Sequence, residues 1–326
     1  MEKPQQILSI GALIVDLVCE VSKLPQSGQG EVVKSYQMSL GGSESNVANI
    51  IRQLGGHCEL LAPVGQGMFA DFARHELSQN GFVPFNVQTD LDNGACFIMV
   101  EPHGERTMIT LPGIERCFDP AWFESLDPKQ FSSAITSGYE LDGPGGIPII
   151  DFLEANPHIL FYYAPGPCIM SVSQDKVARI NALQPVWHLN DMEARTYTDL
   201  EDLIEAGETI LAQCNNAVVI TEGPVGAHLF SKTLDDVGGD YLGEYVGDFT
   251  GEFAGEYKYL LVPSTPVKPV DTIGAGDSHL GALMAARNLG ATWSDALTLA
   301  NRVAAAVCLQ KGALLSDTSV KQVLSE

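Results

Sequence analysis

Residues 270–283 read VDTIGAGDSHLGAL. Two acids, Asp271 and Asp277, bracket the small residues Gly274, Ala275 and Gly276, and an apolar, helix-forming stretch follows at once. The first turn of a helix carries N–H groups without intrahelical partners and a partial positive charge. Small residues there let an anion approach the backbone. Gly274, Ala275 and Gly276 therefore suit a group of developing negative charge, such as a phosphoryl group in transfer. Asp277 has the type and place of a general base that takes a proton from an attacking hydroxyl. Gly290 closes the predicted helix, so Asp277 falls in its first turn. A capped helix after a tight turn explains the same residues without chemistry. A dinucleotide fingerprint fails on spacing, because His279 stands at the third glycine's place, and no G-x-x-x-x-G-K-[ST] run occurs.

Two further acids stand out. Asp16 interrupts ALIVDLV, where an unpaired carboxylate is costly to bury, so a ligand bearing hydroxyls explains it better than packing does. In LNDMEA, Asn190 and Glu193 have the spacing of a capping box, which is a sufficient structural reason for both.

The elements that must position these residues alternate. Short apolar strands (ILSIGALIVDLVCEV, CELLAPVG, SAITSGYEL, HILFYYAPG, VWHLN, AVVITEG) are separated by helical segments. In SNVANIIRQLG, Val47, Ile50, Ile51 and Leu54 share one helix face, and Gly55 ends it. Such alternation predicts an α/β fold with a mainly parallel sheet and ligands beyond the carboxyl ends of its strands. Hairpin-rich pieces near 12–40 and 92–112 break the alternation and predict a small accessory sheet. Between AHLFS and YKYLLV lies GDYLGEYVGDFTGEFAGEY, residues 239–257, a Gly-acid-aromatic-x repeat. Its glycines disfavour helix by about 1 kcal/mol each relative to alanine, so a hairpin insertion is expected, with a partner-binding arm as the alternative.

The bulk numbers narrow the partners. The chain has 326 residues, 45% of them hydrophobic, and a net charge of −23 with only 18 Lys and Arg. That balance argues against nucleic acid, anionic membrane and highly phosphorylated substrates. Seven cysteines without C-x-x-C spacing read as reduced thiols and not as a disulfide frame or zinc site. Asp16 interrupts the apolar N-terminus and no basic segment precedes it, so a cytoplasmic protein without a signal peptide is expected.

DTIGAGD followed by a small-residue helix resembles the C-terminal signature of the PfkB (ribokinase-like) carbohydrate kinases. LGGSESNVANIIRQLGG, residues 40–56, resembles that family's N-terminal double-glycine signature, in the family's order and over essentially the whole chain. The resemblance implies a single ribokinase-like domain: a central, mostly parallel sheet flanked by helices on both faces, with a small β-sheet lid. It implies that Gly41, Gly42, Asn46 and Asp16 hold sugar hydroxyls, with Glu140 and the lid residue Arg106 as further contacts. Asn190 and Glu193 match an N-x-x-E motif tied to magnesium and phosphate. Thr221, Gly223, Gly226 and Asn301 match the nucleotide pocket. Asp271, the backbone at Ile273, Gly312 and Ser316 match a monovalent-cation site, a K⁺ dependence that varies within the family. Departures are Ile14 in place of an Asn found in ribokinases, which weakens ribose, and His279 where an aromatic is common, read as a packed histidine.

The resulting expectation is an ATP- and Mg²⁺-dependent kinase acting on a primary hydroxyl of a sugar-like molecule. Asp277 would be the base, and the backbone of 274–276 the anion hole. A homodimer through the lid is expected. The alternatives are a nucleoside kinase of the same fold and a non-catalytic sugar- or nucleotide-binding regulator.

Overall fold

The structure is a computed structural model that describes residues 6–103, 105–232, 245–248 and 256–325. β1 (Gln6–Ile10) turns at Gly11 into β2 (Ile14–Glu20), which pairs antiparallel with β3 (Ser35–Gly41). α1 (Ser43–Gln53) starts directly after Gly42. The expected single strand at CELLAPVG is two, β4 (Cys58–Leu61) and β5 (Pro63–Val64), since Pro63 has no N–H to continue a ladder. α2 (Met68–Gln79), β6 (Phe85–Asn86) and the hairpin β7 (Ala95–Val100) and β8 (Arg106–Leu111) follow.

From β9 (Phe131–Ser137) the chain alternates. α3 (Gly138–Asp142) and α4 (Gly146–Ala155) lead to β10 (Leu160–Ala164), and α5 (Gln174–Ala182) to β11 (Val186–Asn190). α6 (Asp191–Thr198) and α7 (Leu203–Cys214) lead to β12 (Ala217–Thr221). Three antiparallel strands come next, β13 (Gly226–Ser231), β14 (Tyr245–Asp248) and β15 (Glu256–Pro263). α8 (Ala275–Asn288), α9 (Trp293–Cys308) and α10 (Asp317–Ser325) end the fold.

The large sheet runs in the order β14-β15-β13-β12-β11-β10-β9-β1-β4. Its strands from β12 through β4 are parallel. Both faces are buried, and the strand period of two sends neighbours to opposite cores. Phe161 and Tyr163 of β10 join one core with α4 and α7, whereas Tyr162 joins the other with α1, α8 and α9. The smaller sheet, β3-β2-β7-β8, is built from strands within segments 12–40 and 92–112. Its outer strands expose Tyr36, Met108, Ile109 and Leu111.

Of the repeat 239–257, residues 239–244 and 249–255 lie outside the described residues. Tyr245–Asp248 pairs antiparallel with Glu256–Tyr259. Tyr257 is fully buried and packs on Phe230, so the repeat's last aromatic belongs to the core. Among the described residues, no helix is long and apolar enough to cross a membrane.

Candidate active site

Two helix mouths meet beyond the strand ends. α1 and α8 pack closely because Gly281 has no side chain. A Cβ there would lie 2.9 Å from both Ile50 Cβ and Val47 O. That approach brings Asn46, in the first turn of α1, to Asp277, in the first turn of α8. Asn46 Nδ2 donates to Asp277 Oδ2 at 2.8 Å across 231 residues of sequence.

The double glycine has a steric cause. Gly42 caps α1 at φ 106°, and a Cβ there would meet the Ala12 carbonyl oxygen at 2.3 Å. A Cβ on Gly41 would lie 2.4 Å from Asp16 Oδ2. Asp16 therefore lies against the backbone at Gly41, facing the α1 mouth. Its carboxyl is pushed up to about 6, first by burial and then by the charge of Asp277. Burial also raises Asp277 to about 6, against hydrogen bonds from Asn46 and Ser43 that favour its ionised form. Two carboxyls with these values, held near one another, suit a proton acceptor that works near neutral pH.

At the α8 mouth, Gly274 has φ 70° and caps the helix, with Ala313 against it. Ala275 turns its N–H to Thr272 O at 3.3 Å. Gly276 is exposed, and a Cβ there would meet nothing within 4 Å. Beside it opens a cavity of about 210 Å³ lined by Thr221, Gly223, Gly226, Ala275, Gly276 and Asn301, joined by Val267, Pro269 and Ala305. All four residues matched to a nucleotide pocket thus line one cavity that ends on the glycine turn. Asn301 also donates to Val262 O at 2.9 Å, tying α9 to the end of β15. The apolar contribution of the 265–269 loop was not legible in the sequence, because loops carry no periodicity.

The remaining assignments divide. Asn190 and Glu193 form the full capping box of α6, with N–H···O distances of 2.8 and 3.0 Å. Burial raises the Glu193 carboxyl, and the charge of Asp277 adds to the rise. Glu140 lies on α3 and not at a strand end, because Ser137 caps a new helix there. It is fully enclosed and accepts a hydrogen bond from Ser137 Oγ at 2.5 Å. Beside it is Glu44, an α1 residue the sequence reading missed, whose Oε2 accepts from Ala12 N–H at 3.2 Å. Burial raises both carboxyls, and the charge of Glu140 raises Glu44 further. The trace of Glu44 in the sequence is an acid two residues after the double glycine, in the first turn of α1.

Asp271 and Arg106, expected at a cation site and at the substrate, meet each other: Arg106 Nη2 donates to Asp271 Oδ1 at 2.7 Å. Gly312 N–H donates to Asp271 Oδ2 at 3.2 Å, and Ile273 N–H to Oδ1 at 2.9 Å. Ser316 Oγ lies 2.8 Å from Ser319 Oγ and accepts from Ser319 N–H, in the first turn of α10. His279 is packed in the interior, with Nδ1 2.9 Å from His188 Nε2, and burial lowers it to about 4.

Comparisons with known proteins give the family and the fold. Residues 4–141 and 181–319 match the profile described as pfkB family carbohydrate kinase. An uncharacterized sugar kinase of Escherichia coli (strain K12), YegV, is 29% identical over 98% of this chain and 94% of its own length. A ribokinase of Thermotoga maritima superposes with a TM-score of 0.78 at 17% identity, over 99% of this chain and 100% of its own. An adenosine kinase of Sinorhizobium meliloti does so with a TM-score of 0.79 at 18% identity, over 99% and 100%. With two glycine-started helices converging on one carboxylate, in the order and over the length that this profile covers, the chain belongs to the pfkB family of carbohydrate kinases.

Proposed function

We propose that the chain transfers the γ-phosphoryl group of ATP to a primary hydroxyl of a sugar or sugar-like molecule, with Asp277 as the general base. The observation that carries this reading is the Asn46–Asp277 contact of 2.8 Å, which joins the two helix mouths. It brings the acids together next to the Gly276 turn, and the cavity lined by Ala275 and Gly276 borders the same turn. A hydroxyl-rich acceptor would sit at Asp16, Gly41, Gly42 and Asn46, its hydroxyls donating to Asp16. Asp277 takes the proton of the attacking hydroxyl as its oxygen bonds to the γ-phosphorus and the bond from that phosphorus to the β-γ bridging oxygen breaks, leaving ADP. The backbone at Gly274, Ala275 and Gly276 faces the equatorial oxygens of the transferring group. Thr221, Gly223, Gly226 and Asn301 would border the nucleotide.

Asn190 and Glu193 offer the oxygen donors that a hydrated divalent cation takes, and burial, with a smaller contribution from the charge of Asp277, raises the Glu193 carboxyl, a cost that a cation there would relieve. When bound, Mg²⁺ would neutralise phosphate charge, with Asn190 and Glu193 on its protein side. The apolar outer residues of the small sheet, Tyr36, Met108, Ile109 and Leu111, suit a second copy of the chain.

The test is ADP release with Mg²⁺ and ATP across a panel of sugars, sugar acids and nucleosides, for the wild type and Asp277→Asn side by side. Turnover of a sugar that the variant loses supports the reading. A nucleoside as the sole acceptor would replace the substrate class. Binding of a panel member in a thermal-shift assay, with no turnover of any, would point to a regulator and sink the kinase reading.

A further inference from the structure

A partly buried charge pair joins the lid to the body of the enzyme. Arg106 is the first residue of β8, opposite Val100 in the hairpin, so it stands at the lid's tip. Its side chain is 25% exposed and that of Asp271 is 9% exposed. Asp271 lies on the segment entering the glycine turn, and its chain is pinned to the end of α9 by Val270 N–H on Cys308 O at 2.7 Å. Three donors converge on this carboxylate: the Arg106 guanidinium at 2.7 Å, Ile273 N–H at 2.9 Å and Gly312 N–H at 3.2 Å. A second, exposed pair, Lys311 with Glu20 of β2 at 3.7 Å, joins the same two parts.

A compact monovalent cation needs oxygen ligands. At Asp271 the surroundings turn N–H groups toward the carboxylate, and one of them bears a full positive charge that does not dissociate. Ser316, the side-chain hydroxyl expected at such a site, is engaged with Ser319 in the first turn of α10. The donor set therefore does not fit the cation that the resemblance implies. Burial alone would raise the Asp271 carboxyl. The hydrogen bonds from Ile273, Arg106 and Gly312 outweigh it and hold the group below its ordinary range.

We propose that the guanidinium of Arg106 takes the place of a monovalent cation at Asp271, so that contact by the lid sets the approach to the glycine turn. This deepens the kinase reading and rests on it. Arg106 is a positioning residue: it acts through Asp271 and Ile273 on the backbone at 274–276. It follows that K⁺ has nothing to supply in the wild type.

The test compares KCl with tetramethylammonium chloride at matched ionic strength, for the wild type and Arg106→Ala, by thermal unfolding of the whole chain and by ADP release with the acceptor found active. The expected wild-type midpoint and turnover are the same in both salts. Arg106→Ala is expected to lose about tenfold in kcat/KM in tetramethylammonium, equivalent to the loss of one charge-assisted contact. In KCl it should recover part of both midpoint and turnover, because a cation can then reach Asp271. A K⁺-specific rise in wild-type midpoint or turnover overturns the proposal, as does an Arg106→Ala protein that matches the wild type in both salts. Absence of turnover with every acceptor in both salts would strike the kinase reading instead, and the thermal data would still decide the role of Arg106.

Discussion

The two helix mouths carry similar sequence signatures, glycine-rich turns with a carboxylate beside each, yet they use their glycines in opposite ways. At α1 the space around the glycines is filled by the protein itself. Gly42 is pressed on the Ala12 carbonyl and Gly41 on the Asp16 carboxylate. At α8 the outer glycine, Gly276, has open space where a side chain would stand. One glycine pair makes close packing possible and places Asp16 against Gly41. In the other, Gly274 is packed on Ala313 and only Gly276 leaves its backbone open. The acids differ likewise. Both are raised to about 6, but Asp277 has hydrogen bonds from Asn46 and Ser43 that orient it, whereas Asp16 feels the charge of Asp277. A positioned base and a hydroxyl acceptor are two roles that such environments would separate.

The largest expected effect breaks the comparison at its acids. Asp277→Asn should lower kcat by about 10³-fold, the scale of losing a general base. Its thermal midpoint near neutral pH should hold or rise. The folded carboxyl is raised above its unfolded value, so at neutral pH its ionised form disfavours folding, and a neutral side chain removes that cost. Asp16→Asn should instead act mainly on the acceptor KM. If Asp16→Asn takes kcat and Asp277→Asn takes only KM, the roles are reversed.

Next come the glycines. Gly276→Ala should fold with an unchanged midpoint and lose about tenfold to a hundredfold in kcat/KM, since the methyl group occupies the place of the phosphoryl oxygens. Gly42→Ala should lose about 2 kcal/mol of stability in denaturant unfolding, from its backbone conformation and the contact with Ala12. Equal stability losses for the two variants would erase the distinction between a packed and an open mouth.

The smallest effect concerns pH. Activity should fall as pH drops through about 6, where Asp277 gains a proton and can no longer accept one. Asn46→Ala removes a hydrogen bond that favours the ionised form, so this acid limb should move to higher pH, by about half a unit to one unit. A limb that stays in place, or moves down, would mean that Asn46 does not bond the base in the working enzyme.

Much of the fold was legible because it is local and periodic. Alternating strands and helices, the closure of α8 before Gly290, and the Asn190–Glu193 box all follow from residues within a few positions of one another. Errors arose where one local rule overtook another. Ser137 ended a strand by capping a helix, and Pro63 split CELLAPVG. Near the two helix mouths, an acid that stands out in its run, such as Asp16 in ALIVDLV, drew notice from sequence alone. Glu44 did not, since a glutamate in a first turn is ordinary until Glu140 is found beside it.

By itself, the sequence determined the layered α/β architecture, the two glycine-started helices and the acids at their mouths. Backbone sterics, capping and hydrophobic period act over short stretches of chain. Only the tertiary structure decided which partners those groups have: Asn46 on Asp277, Arg106 on Asp271, and Thr221 and Asn301 around one cavity. Such contacts span long stretches of sequence and depend on how closely elements approach. A missing Cβ at Gly281 set the distance between α1 and α8, and no pattern within either helix encodes it.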